Sequence, residues 1–278
     1  MDVGAGTGVL SMFAAKAGAR KVYAVEASEM ARHIPAIAAA NGVENVVEVL
    51  HSRVEDVKLK EKVDIIVSEW MGFYLFHECM LPSVLFARDR FLKEGGILLP
   101  GRGKLVAATV EANELVQSKI TYFEDVYGLD FSPLQMPAIE ELTRSPQIEV
   151  LNSDNLISSP TVVGEYDFYT ITAEELRHIK AEPVFVTKRP GQLHAVALWF
   201  DVTFSPFRTE EEEVDGGSEV VVLDTSPMSA PTHWKQTVVF LPVQAELEPG
   251  MALPLQFSMV LVNAEDRKYT LSIEFPEG

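Results

Sequence analysis

Two hydrophobic rhythms divide the chain. From residue 1 to residue 100, short apolar runs alternate with stretches of helical periodicity, the pattern of βαβ units built on a parallel sheet. Met1 to Val3 reads as the end of a strand and Val9 to Ala17 as a helix closed by Gly18. Lys21 to Val25 and Val46 to Leu50 read as the next two strands, with Ser28 as N-cap of the helix between them and Pro35 as the point where that helix kinks or restarts. Val63 to Val67 reads as a fourth, apolar strand of the kind covered on both faces. Glu78 to Leu92 is predicted helical, Glu94-Gly95-Gly96 a turn, and Ile97 to Leu99 a return to the sheet.

Beyond Pro100 the rhythm changes to period-two runs separated by Pro, Gly and Ser, which predicts an antiparallel β domain over 101–278. His194 to Phe204 is the clearest run, with Val196, Leu198, Phe200, Val202 and Phe204 on one face and Ala195, Ala197, Trp199 and Asp201 on the other. Tyr122 to Pro160 fits neither rhythm and is either a projecting arm or a long surface insertion. The fold class is therefore α/β, a Rossmann-like domain followed by an antiparallel domain.

Composition narrows the function. With 278 residues, 47% of them apolar, the chain can bury one large core or two ordinary ones. No apolar run reaches the roughly 18 residues that span a bilayer, and Met1-Asp2-Val3-Gly4 does not open a signal peptide, so no membrane role is expected. Cys79 is the single cysteine, which excludes an intrachain disulfide or a cysteine-built metal site and favours a reducing compartment. A net charge of -18, from 41 acidic against 23 basic residues, argues against direct nucleic-acid binding and for a cationic partner. The run Glu210 to Glu213 before Asp215-Gly216-Gly217 reads as a solvated loop tip. No basic targeting cluster stands out, so cytoplasm and nucleus both remain open.

Asp2-Val3-Gly4-Ala5-Gly6-Thr7-Gly8 follows a strand and opens a helix, where glycine lets backbone turn sharply and approach a ligand closely. Glu26 closes the next strand, the position from which a carboxylate takes both hydroxyls of a ribose. The ligand is then a dinucleotide or S-adenosylmethionine. The G-x-G-x-G spacing departs from the G-x-G-x-x-G that seats a pyrophosphate, and Asp2 suits an amino group, so the methyl donor is favoured over the NAD of an oxidoreductase. Val54 and Glu55 either reach the adenine or simply open a loop.

Ser68-Glu69-Trp70-Met71-Gly72 follows the fourth strand, and carboxyl ends of strands are where open α/β sheets bind ligands. Glu78 lies nine residues further on, across a glycine-containing loop. Two converging carboxylates suit a guanidinium, a fork of N–H donors that stays protonated because its pKa exceeds about 12. Such a pair aligns one nitrogen with a sulfonium methyl and draws positive charge toward the others. The bland alternatives are helix capping or ion pairing for the glutamates, and plain core for Trp70 and Met71.

Four segments in order, Asp2 to Gly8, Val22 to Ser28, Val63 to Gly72 and Thr232-His233-Trp234-Lys235-Gln236, resemble the protein arginine N-methyltransferases of type I. The resemblance implies that Asp2, Gly4, Gly6 and Glu26 hold S-adenosylmethionine, with Val54 and Glu55 near adenine and Met80 near the reactive methyl. It implies that Glu69 and Glu78 are the paired glutamates, that His233 completes the catalytic set, and that Trp70, Met71 and Trp234 wall the arginine pocket. It further implies a β-barrel after Pro100, an arm over about 122–160 forming a homodimer, protein substrates such as histone tails or Arg-Gly-rich segments, and asymmetric dimethylarginine as product. Departures are Phe73 where the family commonly has tyrosine, and Pro35 within its helix. The chain also begins inside the first motif, without the family's helices that fold over the donor: if it is a fragment the full-length protein is expected to be active, and if it is the true product donor binding is expected to be weak. A catalytically impaired dimeric scaffold is the alternative from another class.

Overall fold

The computed structural model describes residues 1–208, 220–263 and 268–276; Glu210 to Glu213 and Asp215 to Gly217 lie outside the described residues. The first half builds one parallel sheet from β1 (Asp2–Val3), β2 (Val22–Glu26), β3 (Val47–His51), β4 (Val63–Val67) and β5 (Leu92–Leu99), in the order β3-β2-β1-β4-β5. The connections carry α1 (Val9–Lys16), α2 (Ile34–Ala40) and α3 (Leu81–Phe91). β1 lies between β2 and β4, with Asp2 opposite both Ala24 and Val67. The strand order therefore reverses at β1, the point at whose carboxyl ends open α/β sheets place their ligands.

Local chemistry explains the boundaries. Ser28 caps only a single turn, Glu29–Arg32, its Oγ accepting from the Met30 N–H at 3.2 Å. Pro35 then sits in the first turn of α2, where its missing N–H costs nothing, so the helix restarts rather than kinks. The expected helix from Glu78 begins only at Leu81, because Glu78 and Cys79 adopt left-handed backbone. Glu94-Gly95-Gly96 is not a turn: β5 runs through it, and a register shift against β4 absorbs Gly95 at φ +73°. β4 is not covered on both faces either, since Asp64 and Ile65 are exposed among the described residues.

The second half is antiparallel and continues with β6 (Arg102–Val110), α4 (Asn113–Lys119), α5 (Gln135–Arg144), β7 (Gln147–Glu149), β8 (Thr161–Asp167), β9 (His178–Ala181), β10 (Val184–Val186), β11 (Gly191–Phe204), β12 (Val221–Asp224), β13 (Gln236–Leu247), β14 (Ala252–Pro254), β15 (Gln256–Asn263) and β16 (Lys268–Glu274). The main sheet runs β7-β13-β11-β6-β8, with β12 against the end of β11; β16-β15-β9 and β10-β14 form two smaller sheets. Both faces of β11 are buried. Val196, Leu198, Phe200 and Val202 join the core that also contains Val3, Ile66 and Leu81 of the first half. Ala195, Ala197 and Trp199 face a second cluster with Leu115, Val116, Ile139 and Leu142 of the α4–α5 region. Of residues 122–160, β7 pairs with β13 and Leu156 bridges Val110, so that stretch belongs to the sheet. Exposed apolar side chains gather earlier, at Tyr122, Tyr127, Leu129, Phe131, Leu134 and Met136.

Candidate active site

The loops after β1, β2, β3 and β4 leave the sheet at the same end, as parallel strands require. Gly4, Gly6 and Gly8 hold φ of +73°, +55° and +87°, conformations that side chains rarely tolerate. A Cβ on Gly4 would fall 2.2 Å from Met80 Cε, so the glycine loop and the segment leading into α3 touch at this point. At Gly6 nothing lies within 4 Å of where a Cβ would stand, which leaves room for a ligand against the backbone.

Glu26 ends β2 beside this loop. Its Oε2 accepts from the Gly6 N–H at 2.7 Å and its Oε1 from the Ser28 N–H at 2.7 Å. Burial works to raise its pKa, but the hydrogen bonds from Ser28 and Gly6 outweigh it and hold the carboxyl below the usual range. The group is therefore ionised and presents its acceptor oxygens beside the glycine loop. Asp2 differs from expectation. It is buried, its Oδ2 accepts from Ser11 Oγ of α1 at 2.7 Å, and burial raises its pKa; the side chain braces the loop from beneath. Val54 is buried in the main core, while Glu55 Oε1 accepts from Ser83 Oγ of α3 at 2.7 Å. Burial works against the Glu55 anion, and Ser83 together with Arg53 holds its pKa down.

Ser68 fixes where the segment bearing Glu69 leaves β4. Its Oγ donates to the Val3 carbonyl at 2.7 Å and its N–H to the Leu99 carbonyl at 3.0 Å, tying the segment to β1 and β5. The chain then folds into a tight hairpin. The Gly72 N–H donates to the Leu75 carbonyl at 3.0 Å, and a Cβ on Gly72 would lie 2.0 Å from the His77 carbonyl oxygen. Tyr74, Leu75, Glu78 and Cys79 have φ of +42°, +69°, +77° and +51°. Strain of this kind survives only where surroundings over-determine it. Here Leu75 and Phe76 are buried, the Phe76 ring meets Tyr166 of β8 edge-on at 4.8 Å, and Trp70 meets Phe168 edge-on at 5.0 Å. Trp70 and Met71 are 3% and 4% exposed; the structure puts them under the hairpin rather than on an open pocket wall. The position of Phe73 lacks a hydroxyl, and the neighbouring Tyr74 O–H is bonded to His77 Nδ1 at 2.8 Å.

Glu69 and Glu78 remain exposed on the hairpin. Partial burial raises the Glu69 pKa, His233 opposes the shift, the Glu78 charge adds to it, and the Met71 N–H opposes it. The three side chains therefore share one electrostatic neighbourhood. Among the described residues no lysine or arginine pairs with either glutamate, and neither caps α3. The ion-pair and capping readings thus find no support. His233 is exposed, its ring centroid 3.7 Å from that of Trp234. Trp234 is buried, and its Nε1–H donates to the Met71 carbonyl at 2.7 Å, which locks the 232–235 loop onto the hairpin. The sequence reading had no signal for the supporting aromatics Phe76, Tyr166 and Phe168, or for Ser11, Ser68 and Ser83.

Two exposed carboxylates on the hairpin after β4, beside a glycine loop and an ionised glutamate at the end of β2, fit a nucleotide-dependent enzyme acting on a cationic group. A methyltransferase domain family matches residues 1–96, and the arginine methyltransferase oligomerization subdomain matches residues 101–277. Among curated relatives, the probable protein arginine N-methyltransferase 6.1 of Oryza sativa subsp. indica is 40% identical over 99% of this chain and 76% of its own length. Protein arginine N-methyltransferase 6 of Danio rerio is 38% identical over 100% of this chain and 78% of its own. Among solved structures, the Trypanosoma brucei PRMT1 enzyme–prozyme heterotetrameric complex with AdoHcy superposes with a TM-score of 0.82 at 32% identity, covering 99% of this chain and 83% of that one. Arabidopsis thaliana protein arginine methyltransferase 10, described in a uniquely open conformation, gives 0.81 at 32% identity over 98% of this chain and 87% of that one. The chain belongs to the protein arginine N-methyltransferase family, enzymes that move methyl groups from S-adenosylmethionine to arginine guanidinium nitrogens of proteins. The oxidoreductase reading is thereby set aside.

Proposed function

We propose that the chain is a type I enzyme giving mono- and then asymmetric dimethylarginine, with Glu69, Glu78 and His233 as its catalytic residues. The observation that carries this reading is the pair of exposed glutamates, free of lysine and arginine partners among the described residues, on a hairpin that touches the donor loop through Met80 and Gly4.

Glu69 and Glu78 accept the guanidinium N–H groups and present one nitrogen to the donor side. S-adenosylmethionine supplies an electrophilic sulfonium methyl. On accepting the methyl the guanidinium nitrogen would release a proton, and the carboxylate pair would take it up. The raised proton affinity of Glu69 suits it to receive that proton, and His233 beside it suits transfer onward to solvent. On the donor side, Gly4 and Gly6 would admit the methionine end, Glu26 would take the ribose hydroxyls, Val54 and Glu55 would lie toward the adenine, and Met80 toward the methyl. Asp2 holds the glycine loop in shape, while Trp70, Met71 and Trp234 give the arginine channel its rigid backing.

Net charge of -18 supports basic substrates such as Arg-Gly-rich segments or histone tails, which a negative cleft steers inward. The exposed apolar cluster Tyr127, Leu129, Leu134 and Met136 supports an arm that seats on a second copy, and Val9 and Phe13 of α1 offer it an exposed apolar surface. The compartment we propose is cytoplasm, nucleus or both. Glu69→Gln and Glu78→Gln test the division of labour: each lowers turnover by about 10²-fold or more while calorimetry finds donor affinity within about twofold. An equal loss of donor affinity refutes it.

A further inference from the structure

We propose that Asp224, facing Asp201 across β11 and β12, is a positioning residue that seats the loop bearing His233 and Trp234, and that the pair makes this seating respond to pH. The inference rests on the reading of His233 and Trp234 as parts of the acceptor site.

Asp201 and Asp224 stand directly opposite each other in antiparallel register. Like charges so placed repel, and one proton shared between the two carboxyls removes the repulsion. Asp224 is also the hub of the loop that follows it. Its carboxylate accepts from the Ser226 N–H at 2.7 Å, from Ser226 Oγ at 3.1 Å, and from Ser229 Oγ. Thr225 closes the same base, its Oγ1 donating to the Phe200 carbonyl at 2.8 Å and accepting the Phe200 N–H at 3.0 Å. On the far side Gln236 Nε2 donates to the Thr225 carbonyl at 2.9 Å, and its Oε1 accepts the Leu151 N–H at 2.7 Å. Thr232, His233 and Trp234 thus hang from a loop pinned at both feet, one foot being the Asp224 network.

The pinning depends on where the shared proton resides. Asp201 Oδ1 is buried with no partner among the described residues. Burial and then the Asp224 charge push the Asp201 carboxyl up to about 6. Among the described residues the opposing charge is Lys104 of β6, which lowers the shift and is itself paired with Glu165 of β8 at 2.8 Å. Asp224 goes the other way: burial disfavours its charge, but Ser229, Ser226 and Asp201 outweigh that and keep it ionised. In the protonated pair Asp201 donates to Asp224 and the serine network is undisturbed. Once Asp201 ionises, two adjacent negative charges press Asp224 away and slacken the loop.

The test is fluorine NMR of the full chain labelled with 5-fluorotryptophan. It has three reporters, Trp70, Trp199 and Trp234, assigned by single Trp→Phe variants. The Trp234 resonance is expected to titrate with a midpoint near 6 in the unmodified protein and to lose that titration in Asp201→Asn, whose amide donates to Asp224 at every pH. In the same series Asp224→Ala raises the KM for an Arg-Gly-rich peptide about tenfold or more with donor affinity unchanged, and Asp224→Asn restores part of the loss. A titration that persists in Asp201→Asn overturns the proposal, as does its absence from the unmodified protein. If Asp224→Ala does not fold, the Asp201→Asn spectrum decides alone. Because the resonance needs no turnover, failure of the acceptor-site reading shows itself separately, as peptide kinetics unmoved by His233→Ala.

Discussion

Replacing Gly4 by alanine separates two costs that the structure joins. The first is conformational. At φ +73° an L side chain costs about 1–2 kcal/mol relative to glycine. The second is a collision, because the new Cβ would lie 2.2 Å from Met80 Cε and 3.3 Å from its Sδ. Carbon atoms rest about 3.5–4.0 Å apart, so the Met80 methyl must withdraw. Its unbranched chain can do so off-rotamer for about 0.5–1.5 kcal/mol. Gly4→Ala is therefore expected to lower stability by about 2–3 kcal/mol in the unmodified background and by about 1–2 kcal/mol in Met80→Ala, where the collision partner is gone. Urea unfolding of the four proteins of this cycle measures a coupling of about 1 kcal/mol. Equal losses in both backgrounds refute the contact between the glycine loop and the segment ending at Met80.

Three further outcomes follow from the geometry. Glu69 has a pKa above the ordinary 4.5 in the folded chain, so the folded state holds the proton more tightly and loses stability as pH rises from the ordinary value through the raised one. Glu69→Gln is thus expected to melt higher than the unmodified protein at neutral pH, with the gap closing in acid; a lower melting temperature at neutral pH contradicts the assignment. Trp234→Phe keeps the ring contact but orphans the buried Met71 carbonyl, and costs about 1–3 kcal/mol in denaturant unfolding with peptide turnover reduced and donor affinity unchanged. Tyr127→Glu with Leu129→Glu, on the exposed part of the arm, is expected to yield monomer in sedimentation velocity together with reduced activity; unchanged association rules out this face.

Much of the first half is legible because its determinants are local. Gly4, Gly6 and Gly8 announce a strand-to-helix turn, Val63 to Val67 is bounded as expected, and Pro35 marks a helix start. Glu94-Gly95-Gly96 misleads because the same left-handed glycine that makes a turn also makes a bulge, and pairing with β4 decides between them. The hairpin from Glu69 to Met80 is opaque for a related reason. Tyr74, Leu75, Glu78 and Cys79 take backbone that their side chains disfavour, held by aromatic contacts from Tyr166 and Phe168 some ninety residues away. Trp70 and Met71 stand beside Glu69 in sequence yet point into the core, because the carboxylate alone must reach solvent. Asp2 likewise faces Ser11 on α1, a partner that only the packed helix supplies.

The central claim is that the paired glutamates deliver arginine to S-adenosylmethionine. Tandem mass spectrometry of an Arg-Gly-rich peptide incubated with the chain and the methyl donor tests it most directly. The expected products are monomethylarginine followed by a dimethylated residue that loses dimethylamine on fragmentation, the mark of both methyls on one nitrogen, with neither product from Glu69→Gln. Symmetric dimethylarginine contradicts the type I assignment, and undiminished product from Glu69→Gln contradicts the glutamate pair itself.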